Sequence, residues 1–192
     1  MTTPSSERVG SPGAPHVVLL GDSHLVGVSG RHAKAKLAPR LRTAGLDVTN
    51  LAFGGARAPD ARDRINALPE CDWAVFSLGT NDAAPWKAAP IPQFVDAYRA
   101  LLLLAGPRRR LVLGPGPVMD RGDGRTEDLV AEYRTAARDL ALGLGVDYLD
   151  ISALVGPSGL ADDGVHFNDL AYSLLAAGVL ELMDGRESER GP

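Results

Sequence analysis

The sequence predicts a single α/β domain built on a parallel sheet, and three observations predict it. Short β-branched or aliphatic runs alternate with longer stretches of helical period, the order of elements in proteins whose strands are joined by crossover helices. The runs at 16–20, 73–78 and 111–113 are nearly all apolar, as strands covered on both faces must be. The chain has 192 residues, which at ~100–200 residues per domain makes one domain with room for a sizeable core.

The elements follow in order. Residues 1–15, rich in Ser, Pro, Thr and Gly, are expected to be a disordered tail with no secretory signal, and the folded domain is expected over 16–184. Strands are expected at 16–20, 47–52, 73–78, 111–113 and 146–150, with helices around 39–44 and 59–68 after the first two. Pro92 suits the first turn of a third helix that buries Phe94, Val95, Tyr98, Leu101, Leu102 and Ala105. Arg108, Arg109 and Arg110 then read as a solvated turn leading into the fourth strand. Thr126 can cap a fourth helix, with Glu127 and Asp128 at its positive end and Val130, Tyr133, Ala137, Leu140 and Leu144 on one face. Asn168 and Asp169 open a last helix containing Leu170, Leu174, Ala177 and Leu182, with Gly185 placed to stop it and a tail over 185–192.

Composition narrows the function. With 45% hydrophobic and 23% charged residues the chain is globular, and a net charge of −4 argues against electrostatic capture of nucleic acid or an anionic membrane. The longest apolar run, at 100–105, is far too short to span a bilayer, so a cytoplasmic protein is expected. The one cysteine, Cys71, excludes an intramolecular disulfide, and His16, His24, His32 and His166 show no paired metal-ligand spacing; no metal and no cofactor are expected.

In an open α/β sheet the ligand crevice lies beyond the carboxyl ends of the strands, so the loops there are where chemistry is sought. The first strand runs into Gly21-Asp22-Ser23-His24, where Ser23 is either a helix cap or a nucleophile. The second is followed by Phe53-Gly54-Gly55-Ala56-Arg57, a flexible turn or a backbone N–H offered to an oxyanion. The third leads to Gly79-Thr80-Asn81-Asp82, an Asx-type turn or a side-chain amide aimed at developing negative charge. After the fifth, Asp162-Asp163-Gly164-Val165-His166 precedes the last helix. An Asp three residues before a His can accept from Nδ1–H and leave Nε2 as a base, or close a capping turn. Each signal alone is weak, but together they compose a nucleophile, oxyanion donors and a base with its orienter.

These four segments, in this order and spacing from Gly21 to about Asn168, resemble the SGNH hydrolases, also called GDSL-type esterases and lipases. The resemblance implies a flavodoxin-like three-layer α/β/α fold with a five-stranded parallel sheet in the order 2-1-3-4-5. It implies Ser23 as nucleophile, His166 as base and Asp163 as its partner, with the Ser23 N–H, the Gly55 N–H and the Asn81 side chain as the oxyanion hole. Gly54 and Asp162 are the rivals of Gly55 and Asp163; the family's spacing favours the latter pair. The chain departs from the family at His24, where Leu is commonest; a polar residue in the first turn is the expected role.

The implied activity is a serine esterase acting through an acyl-enzyme on small soluble acyl or acetyl esters, with Asp22, Trp86 and Arg57 expected to contact substrate. An acyltransferase using the same residues, or a non-catalytic binding module, stays open at this point. No Gly-x-Ser-x-Gly elbow and no Gly-Lys pair occurs, which removes the α/β-hydrolase elbow and the P-loop. Gly114-Pro115-Gly116-Pro117-Val118-Met119 imitates a dinucleotide fingerprint only in its first two glycines and reads as a rigid loop.

Overall fold

A computed structural model describes residues 13–26, 36–120, 122 and 124–188, with side chains as far as residue 185. Five strands, β1 (His16–Gly21), β2 (Asp47–Asn50), β3 (Cys71–Ser77), β4 (Pro107–Leu113) and β5 (Asp147–Leu149), pair in parallel in the order β2-β1-β3-β4-β5. The helices between and after them are α1 (Leu37–Thr43), α2 (Ala58–Arg64), α3 (Ile91–Leu102), α4 (Glu127–Gly143), α5 (Ile151–Val155) and α6 (Asp169–Ser188). The result is a single three-layer domain with the 2-1-3-4-5 sheet that the family resemblance implies.

Alternation along the strands builds the two layers. Val18 and Leu20 of β1, Ala74 and Phe76 of β3 and Val112 of β4 face a core completed by α2, α3 and α4, including Phe94, Tyr98, Val130 and Tyr133. Val17, Leu19, Trp73, Val75, Leu111 and Leu113 point the other way, onto Leu37 and Leu41 of α1, Ile151 of α5 and Tyr172, Leu175 and Val179 of α6. Because both faces are covered, the central strands contain almost no polar side chain in their inner halves.

Several elements differ from their sequence reading, among them α2, which ends at Arg64 and not near residue 68. β4 begins at Pro107, so the three arginines lie in the strand and not in a turn before it. Arg109 and Arg110 pair in register with Trp73 and Ala74, at the amino-terminal edge where long side chains reach solvent. Arg109 lies over the Trp73 ring at 5.5 Å, and Arg108 meets Asp72 at 3.4 Å. α3 ends at Leu102, leaving Ala105 exposed in the following turn. α6 runs through Gly185 to Ser188, so the tail expected from 185 begins no earlier than 189, which lies outside the described residues. Gly185 does not adopt a positive φ, and an exposed helical glycine costs only ~1 kcal/mol relative to alanine. The buried stripe of α6 is Ala171, Tyr172, Leu175, Ala176, Val179 and Met183, with Leu170 exposed. α5, five residues capped by the Asp150 carboxylate, has no expectation in the sequence. The tail expected over 1–15 lies outside the described residues as far as residue 12.

The chain passes from β1 outward to β2 and then crosses back to β3 on the other side of β1. That reversal opens a crevice at the carboxyl end of β1, where Ser23 stands. Gly21, the last residue of β1, is required there: a methyl group at its Cα would overlap the Ser77 carbonyl oxygen of β3.

Candidate active site

Ser23 follows β1 in a tight turn held by Leu25 N–H and Val26 N–H donating to the Asp22 carbonyl at 3.0 and 3.2 Å. Its hydroxyl lies 2.9 Å from His166 Nε2. His166 is delivered from the opposite end of the chain by the loop ahead of α6, and the loop's shape comes from Asp163. One Asp163 oxygen accepts the backbone N–H groups of Val165 and His166 at 3.0 and 2.9 Å, while the other lies 2.6 Å from His166 Nδ1. Gly164 between them has φ +71°, the left-handed conformation this bend requires. Asp163 therefore builds the turn and fixes the ring at once. With Nδ1–H donating to the carboxylate, Nε2 is left without its proton and accepts from the Ser23 hydroxyl.

Electrostatics agree with that tautomer. Burial opposes ionisation of Asp163, but the His166 ring and the two backbone N–H groups outweigh it and hold the carboxyl well below the usual range. His166 is displaced below the ordinary imidazole value by burial, against the hydrogen bond to Asp163 and with help from the charge of His24. At neutral pH the ring is thus poised as a neutral base.

The third block supplies Asn81, whose side-chain nitrogen donates to Asp22 Oδ2 at 3.2 Å. An amide nitrogen carries two hydrogens, so this contact orients the group and leaves a second N–H. Gly55, the expected backbone donor of the second block, has φ +71°, and its carbonyl accepts from Lys87 Nζ at 3.1 Å. Asx turns do not account for the third block. Its turn is closed by backbone bonds, Ala83 N–H to Gly79 carbonyl at 3.0 Å and Ala84 N–H to Asn81 carbonyl at 3.2 Å.

The residues expected to contact substrate are placed differently from one another. Asp22 is fully buried, and its carboxylate accepts the His24 backbone N–H, the His24 ring and Asn81. Arg57 is held by Asp60 through Nε and Nη2 at 2.9 and 2.7 Å and donates to the Lys87 carbonyl at 2.9 Å, a brace between the second and third blocks. Trp86 is exposed, with the Arg125 guanidinium over its ring at 5.0 Å. Three contacts near Ser23 escape sequence reasoning: His24 buried beneath it, Lys36 Nζ donating to the Ser23 carbonyl at 2.9 Å, and Tyr172 Oη donating to the His24 carbonyl at 2.9 Å. The available signal was the His after Gly-Asp-Ser. Among the described residues no group of three or more His, Cys, Asp or Glu is arranged to hold a metal, and no helix is long and apolar enough to cross a membrane.

Asp82 supports the site from below. One of its oxygens accepts the Ala58 N–H at the start of α2 at 2.9 Å, and the other is buried without a partner. Burial pushes its pKa up to about 7, against the Ala58 hydrogen bond and reinforced by the Asp22 charge. A carboxyl raised on folding contributes stability that is full below its unfolded value near 3.8 and is lost as pH rises through the folded value. Asp82→Asn keeps an acceptor for Ala58 and removes this titration. Relative to wild type the variant is expected to gain stability between pH 4 and pH 8, by at most about 4 kcal/mol at ~1.4 kcal/mol per unit. Parallel urea midpoints for the two proteins across that range would contradict it.

The model of the GDSL-like lipase/acylhydrolase family matches residues 19–174. A lipase/acylhydrolase from Enterococcus faecalis superposes with a TM-score of 0.77 at 21% identity, over 90% of this chain and 96% of that one. A catalytic mutant of an acetylxylan esterase from Geobacillus stearothermophilus superposes with a TM-score of 0.69 at 17% identity, over 91% and 95%. An α/β hydrolase from the metagenome of Lake Arreo, Spain, gives 0.66 at 16% identity, over 87% and 94%. No curated protein matches the chain at a significant level of sequence similarity.

Proposed function

The chain belongs to the GDSL-like lipase/acylhydrolase family, and from that premise we propose that it is a serine esterase that turns over small soluble acyl or acetyl esters through an acyl-enzyme. The observation that carries the reading is the unbroken run of hydrogen-bonding distances from Ser23 Oγ to His166 Nε2 at 2.9 Å and from His166 Nδ1 to Asp163 Oδ2 at 2.6 Å. His166 takes the hydroxyl proton as Ser23 Oγ attacks the ester carbonyl carbon, and the tetrahedral oxygen is received by the N–H groups of Ser23, Gly55 and Asn81. Collapse expels the alcohol, protonated by His166. Water, deprotonated by the same ring, then releases the acid and restores Ser23.

The acetylxylan esterase among the structural neighbours supports a small acyl group. A series of p-nitrophenyl esters tests this: the highest kcat/KM is expected on the acetate, and a rise toward octanoate and longer chains would overturn it. Asn81→Ala is expected to lower kcat on the acetate by about 10²–10³ with little change in KM, the usual cost of one oxyanion donor. A rate within a few-fold of wild type would remove Asn81 from the oxyanion hole.

A further inference from the structure

The residue after the nucleophile has partners that decide its charge. His24 is 3% exposed, its Nδ1 lies 3.1 Å from Asp22 Oδ1, and its Nε2 lies 2.9 Å from the Val165 carbonyl oxygen. A carbonyl oxygen only accepts, and the Asp22 carboxylate also accepts the His24 backbone N–H on one oxygen and the Asn81 amide on the other. With two other N–H donors already on the Asp22 carboxylate and a carbonyl at Nε2, both ring contacts are met only when both ring nitrogens of His24 carry hydrogen.

We propose that His24 is a positioning residue that stays an imidazolium, clamping the loop that carries His166 to the turn that carries Ser23 and neutralising the buried Asp22 that aims Asn81. This rests on the roles given above to Ser23, His166 and Asn81. The two ends of the clamp are 141 residues apart, and Val165 is the neighbour of His166. The His24 ring stacks on Phe167 at 4.4 Å and lies 5.7 Å from the His166 ring, so its charge also acts on the base. The charged and titratable groups facing it are Asp22 from the β1 turn, Lys36 ahead of α1, His166 from the loop and the Tyr172 hydroxyl from α6. Of these only Asp22 is a carboxyl group. Burial lowers the pKa of His24, yet the Asp22 charge, its hydrogen bond and the Val165 carbonyl together raise it above the ordinary imidazole value. The same charge helps hold His166 below it.

Nitrogen-15 NMR of the intact chain labelled at histidine reads the proposal without substrate, with His24 assigned by its disappearance in His24→Leu. Two protonated ring nitrogens on His24 at pH 7 are expected; one protonated and one bare nitrogen would overturn the proposal. Kinetics on p-nitrophenyl acetate then read the positioning role. His24→Leu is expected to lose about 10- to 100-fold in kcat with KM within about threefold, the scale of a misplaced base. It should also move the acid limb of kcat/KM to higher pH, because the charge that depresses His166 is gone. His24→Gln, which can donate to Val165 without charge, should recover most of kcat while keeping the displaced limb. A folded His24→Leu protein with wild-type kcat and an unmoved limb would overturn the role. Labelling of wild type by a fluorophosphonate separates failure of this inference from failure of the esterase reading.

Discussion

Ser23→Ala is expected to lower kcat on p-nitrophenyl acetate by about 10⁵–10⁶, leaving only the residual rate that binding and oxyanion donors supply. The expectation follows from where the hydroxyl sits: it is the atom that His166 Nε2 faces, at 2.9 Å, at the carboxyl end of β1. The substitution removes a hydroxyl that makes no other hydrogen bond to the described residues, so the fold should not respond. An unchanged melting temperature with lost turnover is the expected pair of results. Turnover within tenfold of wild type would mean that another group attacks the ester.

Asp163→Asn should cost about 10⁴ in kcat/KM while the protein stays folded. The reasoning uses the two jobs of that carboxylate. An asparagine Oδ1 still accepts the Val165 and His166 N–H groups that close the turn. Its Nδ2, however, presents hydrogen to His166 Nδ1, where the carboxylate oxygen at 2.6 Å had accepted one. The ring must then carry its proton on Nε2, facing the Ser23 hydroxyl as a donor, and cannot take the proton that attack requires. Asp163→Ala, which also removes the turn, should lose both activity and stability. If Asp163→Asn retained wild-type kcat/KM, the carboxylate would be a loop anchor alone.

Much of this was written locally in the sequence, for a physical reason. A parallel strand buried on both faces must be continuously apolar, so β1 and β3 announced themselves, and glycines at their ends marked where the backbone turns toward the crevice. Asp163 and His166 are three residues apart, so their hydrogen bond is a property of one turn and legible from spacing. Hydropathy marked only the last three residues of β4 and missed its start, where the residues after Pro107 are arginines that pair by backbone. The core-facing side of α6 was equally hidden, because leucines and alanines occur all round that helix and only packing against α1 and α5 selects the stripe. His24 was illegible for a deeper reason. Its charge is set by Val165, far along the chain, and by the complete burial of Asp22, neither of which any local pattern records.

The most direct measurement of the central claim is the intact mass of the folded protein after exposure to a fluorophosphonate, with Ser23→Ala treated in parallel. Such a probe phosphonylates an activated serine hydroxyl with loss of fluoride and needs no knowledge of the natural ester. One adduct on wild type and none on Ser23→Ala is the result the account predicts. An unmodified wild-type protein, or an adduct that persists in Ser23→Ala, would contradict it.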